Sequence, residues 1–252
     1  MYTTAADLKE FYDTTQGRVV QRILRQHIRR LWPSVKNQRV LGIGYPVPFL
    51  KPLLGDAERV AVLMPQQQGA VFWPAGDANR VALCDENDWP VETNSVDRVL
   101  VVHGAAGFEN LDAVLRESWR VMTGQGSLIL VVPNRTGAWA RFDNNPFGSG
   151  TPWSAGQIRA SLKDYGFIPE QSERALFVPP ASNRLMLATA FVWEKLGQRF
   201  FNALGGVNIV EATKQLYAGT PVAVSHGTDP RRRLVTAPRP FSRIPNNKET
   251  VK

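Results

Sequence analysis

Five short apolar runs, each followed by a connector, constrain this chain more than any other feature. They read RVLGIG (39–44), RVAVLM (59–64), RVALC (80–84), VDRVLVVHG (96–104) and GSLILVVPN (126–134). Each is short for a helix, rich in Val, Ile and Leu, and lacks the polar alternation of a half-exposed strand. That is the pattern of a strand buried on both faces. Between the fourth and fifth, NLDAVLRESWRVM (110–122) places Leu111, Val114, Leu115, Trp119 and Met122 on one side of a helix. Apolar strands alternating with helices predict an α/β fold, a mostly parallel sheet with helices on both faces and right-handed crossovers. Gly124–Gln125–Gly126 reads as the turn into the fifth strand.

The flanks carry weaker patterns. RVVQRILRQHIRRLW (18–32) has Val19, Val20, Ile23, Leu24, Ile28 and Leu31 at helical spacing, with Arg18, Arg22, Arg25, Arg29 and Arg30 opposite. This is an amphipathic helix whose arginines face solvent, or a membrane-surface helix, ended by Pro33. After the fifth strand, RFDNNPFGSGTPW (141–153) reads as a loop, and SAGQIRASLKDYGF (154–167) as a helix capped by Ser154 and stopped by Gly166. RALFVP (174–179) reads as a sixth strand, 183–204 as one long helix, and GVNIVEATKQLY (206–217) as a last, antiparallel strand. The domain expected is 1–224, with an N-terminal helical cap over about 1–36.

Charge and cysteine usage bound the setting. The net charge is +8, but residues 225–252 hold seven Lys or Arg against two acids and so carry +5 of it. That segment is Pro-rich and lacks apolar periodicity, and is expected to be a disordered tail. Nucleic acid is therefore expected at most as a weak partner of the tail. Cys84 is the single cysteine, so no internal disulfide can form. With a polar MYTTAADLKEFYDTTQG start and no run of the ~18–20 apolar residues a span requires, a cytoplasmic protein is expected. His27, His103 and His226 are scattered, so no metal site is expected.

In open α/β sheets a ligand binds beyond the carboxyl ends of the strands. The first strand ends in Gly42–Ile43–Gly44, where missing side chains let a ligand approach. The dinucleotide fingerprint fails, because its third glycine is replaced by Val47 and the second strand ends in MPQQQ rather than an acid. A phosphate-cradling P-loop is also absent.

CDENDWPVETNSVDRVLVVHGAAGFENLDAVLRESWRVMTGQGSLILVVPN (84–134) resembles the core of the class I S-adenosylmethionine-dependent methyltransferases. The family run of an acid, LPF, SFDxV and LRExxRVLxPGGxLxxxVPN appears as Asp85, Trp89–Pro90–Val91, Ser95–Val96–Asp97, Leu115–Arg116–Glu117, Arg120–Val121–Met122 and Gly124–Gln125–Gly126. With the first strand, the resemblance covers 39–134. FYDTTQGR (11–18), VPNRTGAWARFDNNPFG (132–148) and VEATKQLY (210–217) look like a bacterial subgroup whose first loop is Gly-x-Gly-Tyr-x-x-Pro.

The resemblance implies a Rossmann-like sheet and S-adenosylmethionine as cofactor. It places Gly42 and Gly44 at the methionine portion, and Met64 and Gln66 at the end of the second strand, where the ribose is held. Asp85 with Glu86 falls after the third strand, where the adenine is held. His103, Tyr12 and Tyr45 fall at the methyl-donor site, with aromatic core packing as the alternative for the two tyrosines. His103 is the candidate base, or a structural or stacking ring. Asp85 is the adenine acceptor, or a turn acid beside Asn87. Tyr12, Asn134 and Arg135 are candidates for the acceptor side, with core packing, helix capping or solvation as their alternatives. Two departures stand out. The second strand lacks the acid that binds the ribose hydroxyls, and His-x-Leu-Glu-His is replaced by His103–Gly104–Ala105–Ala106–Gly107. The implied function is methyl transfer to an unidentified small molecule or protein. The alternative is a non-catalytic protein of the same fold that binds a protein partner.

Overall fold

Seven strands form one sheet within residues 4–104, 108–142, 145–180 and 184–215, the residues that the computed structural model describes. The strands are β1 (Arg39–Gly44), β2 (Arg59–Pro65), β3 (Val81–Cys84), β4 (Val96–Val102), β5 (Met122–Pro133), β6 (Phe167–Ala175) and β7 (Val207–Lys214). Their spatial order is β3-β2-β1-β4-β5-β7-β6. The first five pair in parallel, and β7 runs antiparallel to both of its neighbours. The chain divides into units 1–218 and 219–252, and all seven strands belong to the first. The basic segment 225–252, expected as a tail, lies outside the described residues.

Alternating side chains serve two helical layers. Val40, Val62, Leu100, Val102, Ile129 and Val131 pack beneath α1 (Ala5–Asp13) and α2 (Thr15–Leu31). Leu41, Ile43, Val99, Val101, Leu128 and Leu130 pack against α4 (Phe108–Val121) and α5 (Ala155–Asp164). A short α3 (Val47–Leu50) follows β1, and α6 (Arg184–Ala188) and α7 (Ala190–Phe200) precede β7.

Several boundaries differ from the sequence reading. The amphipathic helix starts at Thr15, where Thr14 caps it by accepting from Gly17 N, and a further helix, α1, precedes it with a Thr4–Asp7 capping box. Its arginines are not all solvated: Arg25 Nε and Gln21 Nε2 both donate to Pro48 O, at 2.7 and 2.8 Å, and so hold the turn after β1. Gly124–Gln125–Gly126 is not a free turn. It lies inside β5, where the pairing with β4 slips between Val96↔Met122 and Arg98↔Ser127. The sixth strand is Phe167–Ala175 rather than 174–179. The helix expected over 183–204 is broken at Thr189 into α6 and α7.

A buried histidine fastens α2 to β6 and α7. His27 Nδ1 meets Glu173 Oε2 at 2.5 Å and its Nε2 lies 3.5 Å from Glu194 Oε1, with Arg30 also on Glu173. Burial alone would lower the imidazole pKa, but the hydrogen bonds and charges of the two glutamates outweigh it and hold it above the ordinary value. A raised folded pKa means that this contribution is full below the unfolded value of about 6.5 and is lost as pH rises through the folded pKa. Melting temperature should therefore decline on the alkaline side of neutrality. A His27→Gln variant should show a flatter profile there, and identical profiles would remove His27 from the account.

Candidate functional site

The strand order reverses between β1 and β4: the chain runs outward through β2 and β3, then returns to β4 on the other side of β1. A crevice at such a switch point is where open α/β sheets bind ligands. The residues brought there are Gly44 and Tyr45 from β1, Gln66 and Gln68 after β2, and His103 and Gly104 after β4. The helix α1 folds across it, bound at both ends. Ala5 N donates to Gln68 O at 2.7 Å, and Tyr12 Oη lies 2.8 Å from His103 Nε2.

A buried aromatic cluster lies behind this switch point. Tyr12 stacks on Tyr45 at 6.0 Å and meets Phe49 edge-on at 5.6 Å, while the His103 ring lies 4.8 Å from Phe147. Burial lowers the His103 pKa to about 3, so the ring is neutral at ordinary pH. Burial also raises the Tyr12 pKa well above its usual value, with Tyr45 adding to the shift, so both partners of the Tyr12–His103 hydrogen bond are neutral. His103 itself stands at φ 54°, a left-handed conformation at the end of β4.

The two glycines of the first strand have different jobs. Gly42 lies inside β1, and a Cβ there would strike the Pro46 ring and come within 2.6 Å of Leu50 Cδ1. Its missing side chain makes room for the chain's own α3. Gly44 has φ +81°, and its position lies against the backbone of Gly104. Met64 is fully buried under the α1–α2 layer, whereas Gln66 is exposed just beyond β2.

Farther along the same edge, Asp85 is exposed after β3, and its Oδ1 accepts from Asn87 N at 2.8 Å and Nδ2 at 3.2 Å. Asp85 thus makes the local turn with Asn87 and stands exposed at the end of β3. Glu86 is half-buried, and burial together with Asp85 raises its pKa. Asn134 is buried, with Nδ2 donating to Ala203 O and Gly205 O at 3.1 and 2.6 Å, so it ties the end of β5 to the turn before β7. Arg135 is exposed beside it.

Sequence reasoning missed Phe147 and, of the three glutamines after β2, favoured Gln66 over Gln68. Gln68 Nε2 donates to His103 O at 3.0 Å, while its Oε1 is buried with no hydrogen-bond partner among the described residues. An orphaned acceptor of this kind costs free energy unless a ligand or water meets it. Three consecutive glutamines at the end of β2 were the available signal. Phe147 sits in a loop whose composition marked only irregularity. A separate open cleft of about 650 Å³ lies at the opposite edge of the sheet, around Lys36, Gln38, Glu58 and the Arg39–Asp97 ion pair. Arg39 and Asp97 already pair with each other there. Among the described residues, no group of three or more His, Cys, Asp or Glu is arranged to hold a metal ion.

No family model matches this chain, and no curated protein matches its sequence. Solved structures do match its fold. A S-adenosylmethionine-dependent methyltransferase from Archaeoglobus fulgidus superposes with TM-score 0.55 at 18% identity, over 77% of this chain and 94% of that one. Another from Thermotoga maritima, titled a possible histamine N-methyltransferase, gives 0.57 at 16% identity, over 84% and 96%. The [4+2]-cyclase SpnF gives 0.53 at 17% identity, over 78% and 82%. The fold is thus that of the Rossmann-like, class I S-adenosylmethionine-dependent methyltransferases, with the antiparallel β7 inserted between β5 and β6.

Proposed function

We propose that the chain binds S-adenosylmethionine across the carboxyl ends of β1 to β4 and acts as a methyltransferase. One observation carries this reading: at the switch point, a buried and uncharged cluster of aromatic rings packs around a histidine that burial keeps neutral. A sulfonium cation is favoured against aromatic faces and disfavoured beside another cation. The residues present fit the group in a second way, because Gln68 Oε1 offers a buried acceptor without a hydrogen-bond partner among the described residues.

In this reading, the backbone at Gly44 and Tyr45 lies along the methionine portion. Gln66 and Gln68 accept from the ribose hydroxyls in place of the missing carboxylate, with Met64 packed beneath them. The exposed carboxylate of Asp85 accepts from the adenine amine, with Glu86 beside it. The cofactor, when bound, supplies an activated methyl group on sulfur. Tyr45 within the aromatic cluster also supports placing the chain with the bacterial Gly-x-Gly-Tyr-x-x-Pro subgroup.

His103 is poorly matched to base duty near neutral pH with a pKa of about 3. Held by Tyr12, it positions the acceptor instead. The acceptors that fit are nucleophiles already carrying a free electron pair, such as a neutral amine, a thiolate or a carboxylate, on a small molecule or a protein. Arg135, exposed at the end of β5, lies on the side from which such an acceptor would come.

A second reading is a non-catalytic protein that binds a partner through this fold. It is favoured by the end of β2, which offers no carboxylate, and by the oxygen that Asp85 spends on its own turn. Calorimetry separates the two. S-adenosylmethionine and S-adenosylhomocysteine should both bind, and NAD should not. Asp85→Ala and Gln68→Leu should each weaken binding by about 1–3 kcal/mol, the range for a lost hydrogen bond to a buried or charged group. Absence of binding by either sulfur ligand would remove the cofactor reading and leave the partner-binding one.

A further inference from the structure

We propose that α7 and the turn after it dock on an anionic lipid surface, with the helix lying in the plane of the membrane interface. Val192, Trp193, Leu196, Phe200, Phe201 and Leu204 are between 45 and 64 % exposed, six large apolar residues within thirteen positions. Scattered exposed apolar residues are ordinary, but a contiguous set marks an interaction site. The inward side of α7 is separately accounted for. Ala190, Glu194 and Gly197 are buried, Gly197 makes room for the Phe177 ring, and Glu194 accepts from Leu176 N and Phe177 N at 3.1 and 3.0 Å. The exposed set is therefore a second apolar face, left over after the helix has packed.

Charge chooses the occupant. Glu194 is the sole acid of α7 and is consumed inside, whereas Lys195 and Arg199 are exposed beside the apolar face. The adjoining α2 contains no acid at all, and its Arg18, Arg22 and Arg29 are exposed. The two helices are continuous in this surface, because the Arg22 guanidinium lies 5.9 Å from the Phe191 ring centroid and Gln198 reaches His27. An apolar face with Trp and Phe, rimmed by Lys and Arg, is the signature of a helix that lies on anionic lipid. A second copy of the chain would bring the same basic rim against itself. Nucleic acid would use the basic rim and stack on the aromatic rings, but it would leave Val192, Leu196 and Leu204 unused. No described helix is long and apolar enough to cross a membrane, so the contact is with the surface only.

The test is co-flotation of the full chain with vesicles of phosphatidylcholine, with and without phosphatidylglycerol. The chain should float with the anionic vesicles and not with pure phosphatidylcholine, and added salt should weaken the binding. Leu196→Glu paired with Phe200→Glu should lower affinity by roughly tenfold or more through lost apolar insertion. Lys195→Glu paired with Arg199→Glu should lower it comparably. All four positions are exposed, so circular dichroism melting should stay at the parent's value. The proposal is overturned if the parent does not float with anionic vesicles. It is also overturned if the paired variants float as well as the parent, which would assign binding to another surface such as the basic segment 225–252. A concentration-dependent dimer that the apolar pair of substitutions dissolves, without vesicle binding, would assign the face to a second copy.

Discussion

Gly44→Val is expected to cost at least about 3 kcal/mol of stability, and so to disrupt the sheet's centre before any ligand is considered. Gly44 has φ +81°, a conformation that a β-branched side chain adopts only under strain. Its Cβ would also lie 2.5 Å from the Gly104 backbone and from Val102 O. Those atoms cannot move away cheaply, because Tyr45 N donates to the same Val102 carbonyl at 2.7 Å and closes the two strand ends together. Urea midpoints and melting temperatures read the effect. Gly104→Ala is the instructive contrast: its Cβ would meet Gly44 and Ile43 at 3.2 Å, so a shift of a few tenths of an ångström relieves it and the loss should be smaller. If Gly44→Val melted within a degree or two of the parent, the close approach of β1 and β4 would be wrong. Loss of cofactor binding in that variant would therefore say little about the ligand site, which is better tested at Gln68 and Asp85.

The elements that the sequence revealed are the ones whose burial is local knowledge. Strands β1, β2 and β4 and the stretch of β5 from Gly126 onward are buried along most of their length, and that requirement is written into their apolar runs. Strand β3, at one edge of the sheet with Ala82 and Leu83 exposed, was legible because it kept an apolar composition. Strand β6 escaped because it is the outermost strand and carries Pro169, Glu170, Gln171, Ser172 and Glu173, most of them exposed. An edge strand needs no apolar run, so its pattern resembled a connector. The start of β5 was obscured by Gly124 and Gly126, which serve a register slip rather than a turn. The site was legible to the same degree. His103 could be placed from its position at a strand's end. Gln68 and Phe147 join it only because α1 and the loop around Phe147 close over the crevice, and such closure has no local signature. The G-x-G of the first strand has a packing reason that the sequence did not show: a side chain at Gly42 would strike Pro46 and Leu50.

Arg120→Ala is expected to cost roughly 2–3 kcal/mol, because it strips the partner from a nearly buried carboxylate. Arg120 Nη2 lies 2.6 Å from Glu117 Oε2 and 2.9 Å from Trp89 O, its Nη1 donates to Val91 O at 2.8 Å, and the same Glu117 carboxylate accepts from Trp89 N at 3.0 Å. Five groups thus clamp α4 to the loop after β3. Glu117 is only 7% exposed in its side chain, while Arg120 is 32% exposed, and for that reason the figure stays below the full cost of a broken buried pair. A paired Glu117→Leu, Arg120→Leu variant should lose less than Arg120→Ala alone, since it leaves no orphaned charge. A larger loss in the double variant would show that the backbone carbonyls, rather than the carboxylate, depend on Arg120. Cofactor affinity should change only as far as the loop carrying Asp85 loosens. Glu117 and Arg120 are the acid and the arginine of the LRExxRV run, the most specific part of the resemblance. Their contacts are structural and lie away from the switch point. The run therefore marks the fold through a structural clamp, and the proposed methyl transfer rests on the crevice around His103 and Gln68.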